Sequence, residues 1–322
     1  MTIHQASPSA HSAALPSVDS PPLLRMSGVS KSFAGVTVLS DIQFDLRAGE
    51  VHILAGENGA GKSTLIKILA GVHIPDAGRI ELEGRPVRFR SPHDAASHGI
   101  AVIHQEMSLI GPMSVADNIF LGREVTFGGL VRRKAQHQRA ADLLRQFALH
   151  LDVAAPVESY PIGVCQMIEI AKALSCEARI IVMDEPTSAL TDPEVEKLFA
   201  LIADLKARGC GIIYISHKMQ EIYRIADRIT VLRDGRYIGT EEAAALPPAE
   251  LVRRMVGRDL AQQFPRRRSR GGGERLRVEG LSLREPGGAP RMAVNGVSFT
   301  ARQGEILGFA GLQGAGNSEL FG

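Results

Sequence analysis

The sequence predicts an α/β fold built on a parallel sheet covered on both faces. Three observations predict it. From Leu24 onward, short apolar runs rich in β-branched residues alternate with helical stretches. Runs such as IIVM (180–183) and IIYI (212–215) are also continuously apolar, as strands buried on both faces must be. A glycine-rich turn between an apolar strand and a helix, at residues 51–70, has the strand–loop–helix order of that class.

Residues 1–22 are rich in Ser, Ala and Pro and are expected to form a disordered tail. Strands are expected at Ile42–Leu46, Val51–Ala55, Arg79–Leu82, Ile100–Ile103, Ile180–Met183, Gly211–Ser216 and Ile229–Arg233. Helices are expected at Lys62–Ala70, Lys134–Phe147, Val164–Ser175, Pro193–Ala207 and Ala249–Val256. Asp234-Gly235 between two strand-like runs signals a hairpin. Residues 258–275 break the pattern with a basic run (Arg266–Arg268 and Arg270) and three glycines, and are expected to be an exposed linker. A patch this short reads as a solvated segment, not a binding face.

After the linker the beginning of the chain returns. FDLRAGEVHILAGENGAGKSTL (44–65) matches FTARQGEILGFAGLQGAGNSEL (299–320) without gaps, at the offset of 255 that takes Gly49 to Gly304. Such a repeat indicates domain duplication. The expected organisation is a complete domain at 23–257 and an incomplete second one at 276–322. The second copy stops inside its own first phosphate loop, as in a fragment or a shortened frame.

Composition narrows the function classes. The chain has 322 residues, of which 44% are hydrophobic, enough to bury a core without disulfides or metals. Lys+Arg 37 against Asp+Glu 35 leaves a charge of +2, without the basic excess of a nucleic-acid binder. No apolar run reaches the roughly 20 residues that span a bilayer, so the chain is expected to be soluble or peripheral. The N-terminus has neither the basic segment nor the apolar segment of a secretory signal. Cys165, Cys176 and Cys210 form no CxxC pair and suit a reducing compartment.

Gly56-Glu57-Asn58-Gly59-Ala60-Gly61-Lys62-Ser63 fits the phosphate-loop pattern G-x-x-x-x-G-K-[ST]. Its glycines let backbone N–H groups turn toward phosphate oxygens beside a helix N-terminus. Lys62 offers a charge to the β/γ-phosphates, Ser63 a hydroxyl to Mg²⁺, and Thr64 a further phosphate contact. The rival Rossmann fingerprint fails, because no third glycine follows Gly59 and Gly61. Further on, Ile180-Ile-Val-Met-Asp184-Glu185 is an apolar strand ending in two acids. Carboxylates there are costly unless they meet a cation or solvent. Asp184 is expected to hold Mg²⁺, directly or through water, and Glu185 to polarise the attacking water.

Together these residues resemble the ATP-binding subunits of ABC transporters, over Leu24 to about Gly257. The resemblance implies a mixed sheet with an antiparallel β subdomain and a helical subdomain, and the cofactors ATP and Mg²⁺. Phe33 in SKSF resembles the aromatic that stacks on adenine. Gln105 in IHQE resembles the glutamine that senses Mg²⁺ and the attacking water and couples to the membrane subunits. Ser188–Asp192 resembles the D-loop, and His217 in YISHKM the histidine that donates to the γ-phosphate. The signature departs from the pattern. Where LSGGQ is expected, the chain has Tyr160-Pro161-Ile162-Gly163-Val164. Pro161 removes a hydroxyl and an N–H, while Gly163 and the helix dipole remain to meet the phosphate. This describes a weakened signature, or a site of low turnover.

A finer resemblance is to the ATPases of monosaccharide importers of the ribose, galactose and xylose type. It rests on SPHDAASHGIAVIHQEMSLIGPMSVADNIFLGRE (91–124), EIAKALS and MDEPTSALTDPEVEKLF. Those ATPases are duplicated, and their second phosphate loop commonly lacks the lysine. Here Asn317 stands at the position equivalent to Lys62. The resemblance implies three partners: permease subunits, a periplasmic or extracellular sugar-binding protein reached through them, and a second nucleotide-binding domain in cis or from a second copy. It places the chain peripherally at the cytoplasmic face of the cell membrane. Two alternatives stay open: a nucleotide-binding remnant that does not dimerise productively, and a non-transport ABC protein.

Overall fold

The computed structural model describes residues 21–104, 107–147, 149–176, 178–257, 272–284, 292–311 and 315–321. Tail residues 1–20, Gln105 and linker residues 258–271 with their basic run lie outside the described residues. The chain divides into two compact units, Met1–Asp259 and Leu260–Gly322.

The first unit begins with strands β1 (Leu24–Phe33), β2 (Val36–Leu46) and β3 (Val51–Ala55), then helix α1 (Lys62–Leu69). Next come β4 (Ala77–Leu82), β5 (Arg85–Val87), α2 (Pro92–Ser97), β6 (Ile100–Ile103) and α3 (Val115–Ile119). A small hairpin, β7 (Thr126–Phe127) and β8 (Leu130–Val131), precedes α4 (Arg133–Arg145) and α5 (Ile162–Leu174). The unit continues through β9 (Ile180–Asp184), α6 (Asp192–Ala207), β10 (Gly211–Ile215) and α7 (Met219–Ile225). It ends with β11 (Arg228–Arg233), β12 (Arg236–Glu242) and α8 (Pro248–Val256).

Ten of the described strands form one sheet in the order β5-β4-β1-β2-β12-β11-β3-β10-β9-β6. The expected parallel sheet is its centre: β11, β3, β10, β9 and β6 run parallel. The strands β5, β4, β1 and β2 are antiparallel, and β12 joins them through the pair Arg236↔Ser40. The sheet is therefore mixed.

Strand β9 shows why its sequence carries no alternation. Ile180 and Val182 face a core that includes Leu65 and Leu69 of α1, while Ile181 and Met183 face another built with Ile168, Leu198 and Ile202. All four strand residues are at most 1% exposed. Burying each such side chain is worth roughly 1.5–3 kcal/mol. Helix α6 starts on a reciprocal capping box between Thr191 and Glu194, and α8 stops at Gly257 in the left-handed region.

The structure adds elements the periodicity did not reveal. Strand β1 has a register shift between Met26 and Val29, so its buried residues Leu24, Met26 and Val29 lose the two-residue period. Helices α2, α3 and α7 span six, five and seven residues, too short for a 3.6-residue pattern to repeat. Cys165 is buried, while Cys176 and Cys210 are half-buried.

The second unit holds β13 (Glu274–Arg284) antiparallel to β14 (Met292–Arg302), and α9 (Asn317–Phe321). The offset of 255 carries Lys62, the first residue of α1, to Asn317, the first of α9. The glycines before them share a backbone state, φ 100° at Gly61 and 91° at Gly316. Residues 306–310, the counterpart of β3, form no strand. In the first unit β3 is bonded on both sides, by β10 and β11, and the described residues of the second unit supply neither neighbour.

Candidate functional site

The carboxyl ends of β3, β9 and β10 open into a cleft of about 1060 Å³. It is lined by Gly56, Glu57, Asn58, Gly59, Gly61, Lys62, Ser63 and Thr64, by Asp184, Glu185 and His217, and by Val38 and Met255. A crevice at this end of an open α/β sheet is where such folds bind ligands.

The loop is shaped by what its glycines must avoid. A Cβ on Gly56 would lie 2.5 Å from the Leu232 carbonyl oxygen, and one on Gly61 would lie 2.4 Å from Leu39 Cδ2. Gly61 also holds φ 100°, which side chains rarely adopt. It is the N-cap of α1, with no side-chain cap and no acid in the first turn. That end is left to attract an anion. Lys62 Nζ donates to the carbonyls of Gly56 at 2.7 Å and Glu57 at 2.9 Å. Burial pushes its pKa down, opposed by the charges of Asp184 and Glu185. An ammonium with its ordinary charge disfavoured gains from an anion beside it.

Asp184 closes β9, paired in register with Ile215. Burial, and then the neighbouring charge of Glu185, push its pKa up, against the pull of Lys62 and His104. Such a carboxylate is stabilised by a cation. Glu185 sits in the left-handed region at φ 48° and its N–H donates to the Ile215 carbonyl at 3.0 Å. Non-glycine residues held there store strain, commonly at functional positions. The turn aims Glu185 at His217, whose Nδ1 lies 3.1 Å from Glu185 Oε1. His217 is well exposed, with its side chain at 71%.

Among the described residues no group of three or more His, Cys, Asp or Glu could hold a metal by itself. The hydroxyl of Ser63 and the carboxylate of Asp184 are hard oxygen donors that suit Mg²⁺, an ion that usually keeps waters and takes substrate phosphates for its remaining positions. The donor set fits an ion that arrives with a nucleotide.

Three expected residues stand apart from the cleft lining. Ala60 is 4% exposed, and its N–H donates to the Glu57 carbonyl within the loop at 3.1 Å. Phe33 packs its ring edge-on against His73 at 5.0 Å and is 38% exposed. Gly163 is buried in the first turn of α5, where a Cβ would lie 2.7 Å from Glu194 Oε2. Gln105 lies outside the described residues. Val38 and Met255 line the cleft without any sequence signal: one sits in an ordinary strand, the other on the buried face of α8.

Known proteins resemble this chain along most of its length. The family model for ABC transporters matches residues 39–188. A protein of Agrobacterium fabrum named for ribose/galactose/methyl galactoside import is 49% identical over 92% of this chain and 58% of its own length. A ribose import ATP-binding protein of Chromobacterium violaceum is 48% identical over 92% of this chain and 58% of its own length, and one of Geobacillus kaustophilus is 46% identical over 92% and 59%. The chain thus spans somewhat more than half the length of the curated relatives it matches. Among solved structures, a nucleotide-free ATP-binding cassette from an ABC transporter superposes with a TM-score of 0.62 at 22% identity, covering 74% of this chain and 96% of that one. An ATP-binding subunit of an ABC transporter gives 0.60 at 26% identity, covering 73% and 93%. With the phosphate-loop cleft on the mixed sheet, these likenesses show that the chain carries an ATP-binding domain of the ABC transporter family, with that family's P-loop fold.

Proposed function

We propose that the chain is the ATP-hydrolysing subunit of an ABC importer for a monosaccharide, organised as a complete domain at 23–257, a linker at 258–275 and the first part of a second domain at 276–322. One observation carries the reading: Lys62, Ser63, Asp184, Glu185 and His217 line a single cleft at the N-terminus of α1, with Glu185 in contact with His217. The import names of the relatives support the substrate class.

In this reading the triphosphate lies along residues 56–64. The backbone N–H groups at the start of α1 orient it, and Lys62 exchanges its loop carbonyls for β/γ-oxygens. Ser63 and Asp184 would hold Mg²⁺, with Gln105 sensing it. When bound, the ion supplies charge neutralisation at the β- and γ-oxygens. Glu185 takes the proton of the attacking water, and His217 donates to the γ-phosphate. Phe33, outside the cleft lining, takes the adenine face. Hydrolysis rests on positioning and charge stabilisation.

The clamp on the γ-phosphate would come from Gly163 and the start of α5 in a second nucleotide-binding domain. Closure would pull on permease subunits, which receive sugar from a binding protein outside the cell. The chain would then sit peripherally at the cytoplasmic face of the membrane. Among the described residues no helix is long and apolar enough to cross it.

One observation favours a second reading, a nucleotide binder of low turnover. Pro161 is the N-cap of α5 without a side-chain cap, and the Glu194 carboxylate lies against Gly163 where a phosphate would approach. Single-turnover ATP hydrolysis with and without the permease separates the two. The importer reading predicts stimulation by the permease. ATP binding with no stimulation would favour the second reading.

A further inference from the structure

Glu221 of α7 is buried, yet it carries a carboxylate on which several donors converge. Thr187 Oγ1 lies 2.8 and 2.9 Å from its two oxygens. Tyr214 Oη donates to Oε2 at 3.0 Å and Ser216 Oγ to the same oxygen at 2.9 Å. Lys218 Nζ pairs with Oε1 at 3.0 Å. Burial would push this carboxyl up, but the bonds from Lys218, Thr187, Ser216 and Tyr214 outweigh it and hold it below its ordinary range. It is therefore ionised and can only accept, which fixes the direction of every bond. Ser216 Oγ, its proton committed to Glu221, accepts from the Lys218 N–H at 3.1 Å. Thr187 Oγ1 likewise accepts from Lys218 Nζ at 3.2 Å.

Two of the donors, Thr187 and Ser216, come from different loops. Thr187 lies two residues after Glu185, on the turn leaving β9. Ser216 lies one residue before His217, on the turn leaving β10. His217 itself is mostly exposed, and Glu185 sits in a strained conformation, its N–H bonded to the Ile215 carbonyl and its own carbonyl to the Ser188 N–H. A strained turn persists only where its surroundings over-determine it.

We propose that Glu221 is a positioning residue: it ties the turn after β9 to the turn after β10 and thereby sets the spacing of Glu185 and His217. This rests on the catalytic reading of those two residues given above. It touches neither substrate nor metal, and acts through Thr187 and Ser216. A glutamine in its place would turn one accepting oxygen into a donor, so at least one of these hydroxyls would lose the acceptor for its proton and its hold on Glu221 would weaken.

The experiment compares wild type with Glu221→Gln, Thr187→Val and Glu185→Gln. It measures kcat and KM for MgATP, melting temperature, and the NMR signals of the His217 ring in the nucleotide-free chain at one pH. Glu221→Gln and Thr187→Val are expected to lower kcat by about 10- to 100-fold, the size of a small misplacement of a catalytic group. KM should stay within about threefold, since the phosphate loop is untouched. The His217 signals should move as they do in Glu185→Gln, although neither Glu221 nor Thr187 touches that ring. Thr187→Val removes one donor and keeps the carboxylate, so it carries the test if Glu221→Gln does not fold.

Unmoved His217 signals in both variants, with kcat unchanged or falling together with melting temperature and with a rise in KM, would overturn the proposal. Hydrolysis at the wild-type rate by Glu185→Gln would instead sink the assignment of the base. The His217 signals would then still report whether Glu221 sets the loop spacing.

Discussion

Lys62 is held by two carbonyls of its own loop, and burial disfavours its charge. Both facts make it ready to exchange partners for a phosphate. Lys62→Ala removes a charge-assisted bond worth about 1.5–3 kcal/mol. The dissociation constant for ATP, measured by calorimetry, is expected to rise by about 10- to 100-fold; an unchanged constant would show that the ammonium does not meet the nucleotide. At this scale the site was legible where the chemistry is local. Eight consecutive residues, 56–63, carry the loop's instructions, and Asp184-Glu185 follows its strand directly. Phe33 and Gly163 were less legible because their surroundings come from elsewhere: His73 takes the ring edge of one, and Glu194 covers the other. Val38, Met255 and Glu221 acquire meaning only once distant elements meet.

Among the elements, the central strands announced themselves through burial on both faces, and the helices α1, α4, α5, α6 and α8 were placed to within a few residues. What escaped was short or interrupted: α2, α3, α7, and β1 with its register shift. A partly buried ion cluster joins β11, β2 and the turn before β3. Arg228 of β11 donates to both oxygens of Asp45 on β2, at 2.8 and 2.9 Å, and lies 3.3 Å from Glu50, just before β3. Burial pushes the Asp45 carboxyl up, but the bond and charge of Arg228 prevail and hold it below its ordinary range. A carboxyl depressed in the folded state contributes stability that is present above its unfolded pKa and lost as pH falls through the folded value. The melting temperature of wild type should therefore drop in acid, below about pH 4, more steeply than that of Asp45→Asn. Parallel pH curves would show that Arg228 gives the strands no such tie.

For the whole molecule, the repeat at an offset of 255 was legible because two phosphate loops retain the same glycines. What differs is chemistry: Asn317 replaces Lys62 at the start of α9, so the second loop lacks the charge. Fold consequences of the repeat were not legible. The counterpart of β3 at residues 306–310 has the apolar composition of a strand and forms none, since a parallel strand is made by neighbours as much as by its own residues. The first unit is thus the part that carries the proposed chemistry, in which ATP binds at residues 56–64 and is hydrolysed through Glu185. Comparing ATP binding and single-turnover hydrolysis in wild type and Glu185→Gln tests this most directly. The variant is expected to bind ATP within about threefold of wild type and to hydrolyse it about 10²- to 10⁴-fold more slowly. Hydrolysis by the variant at the wild-type rate would contradict this chemistry.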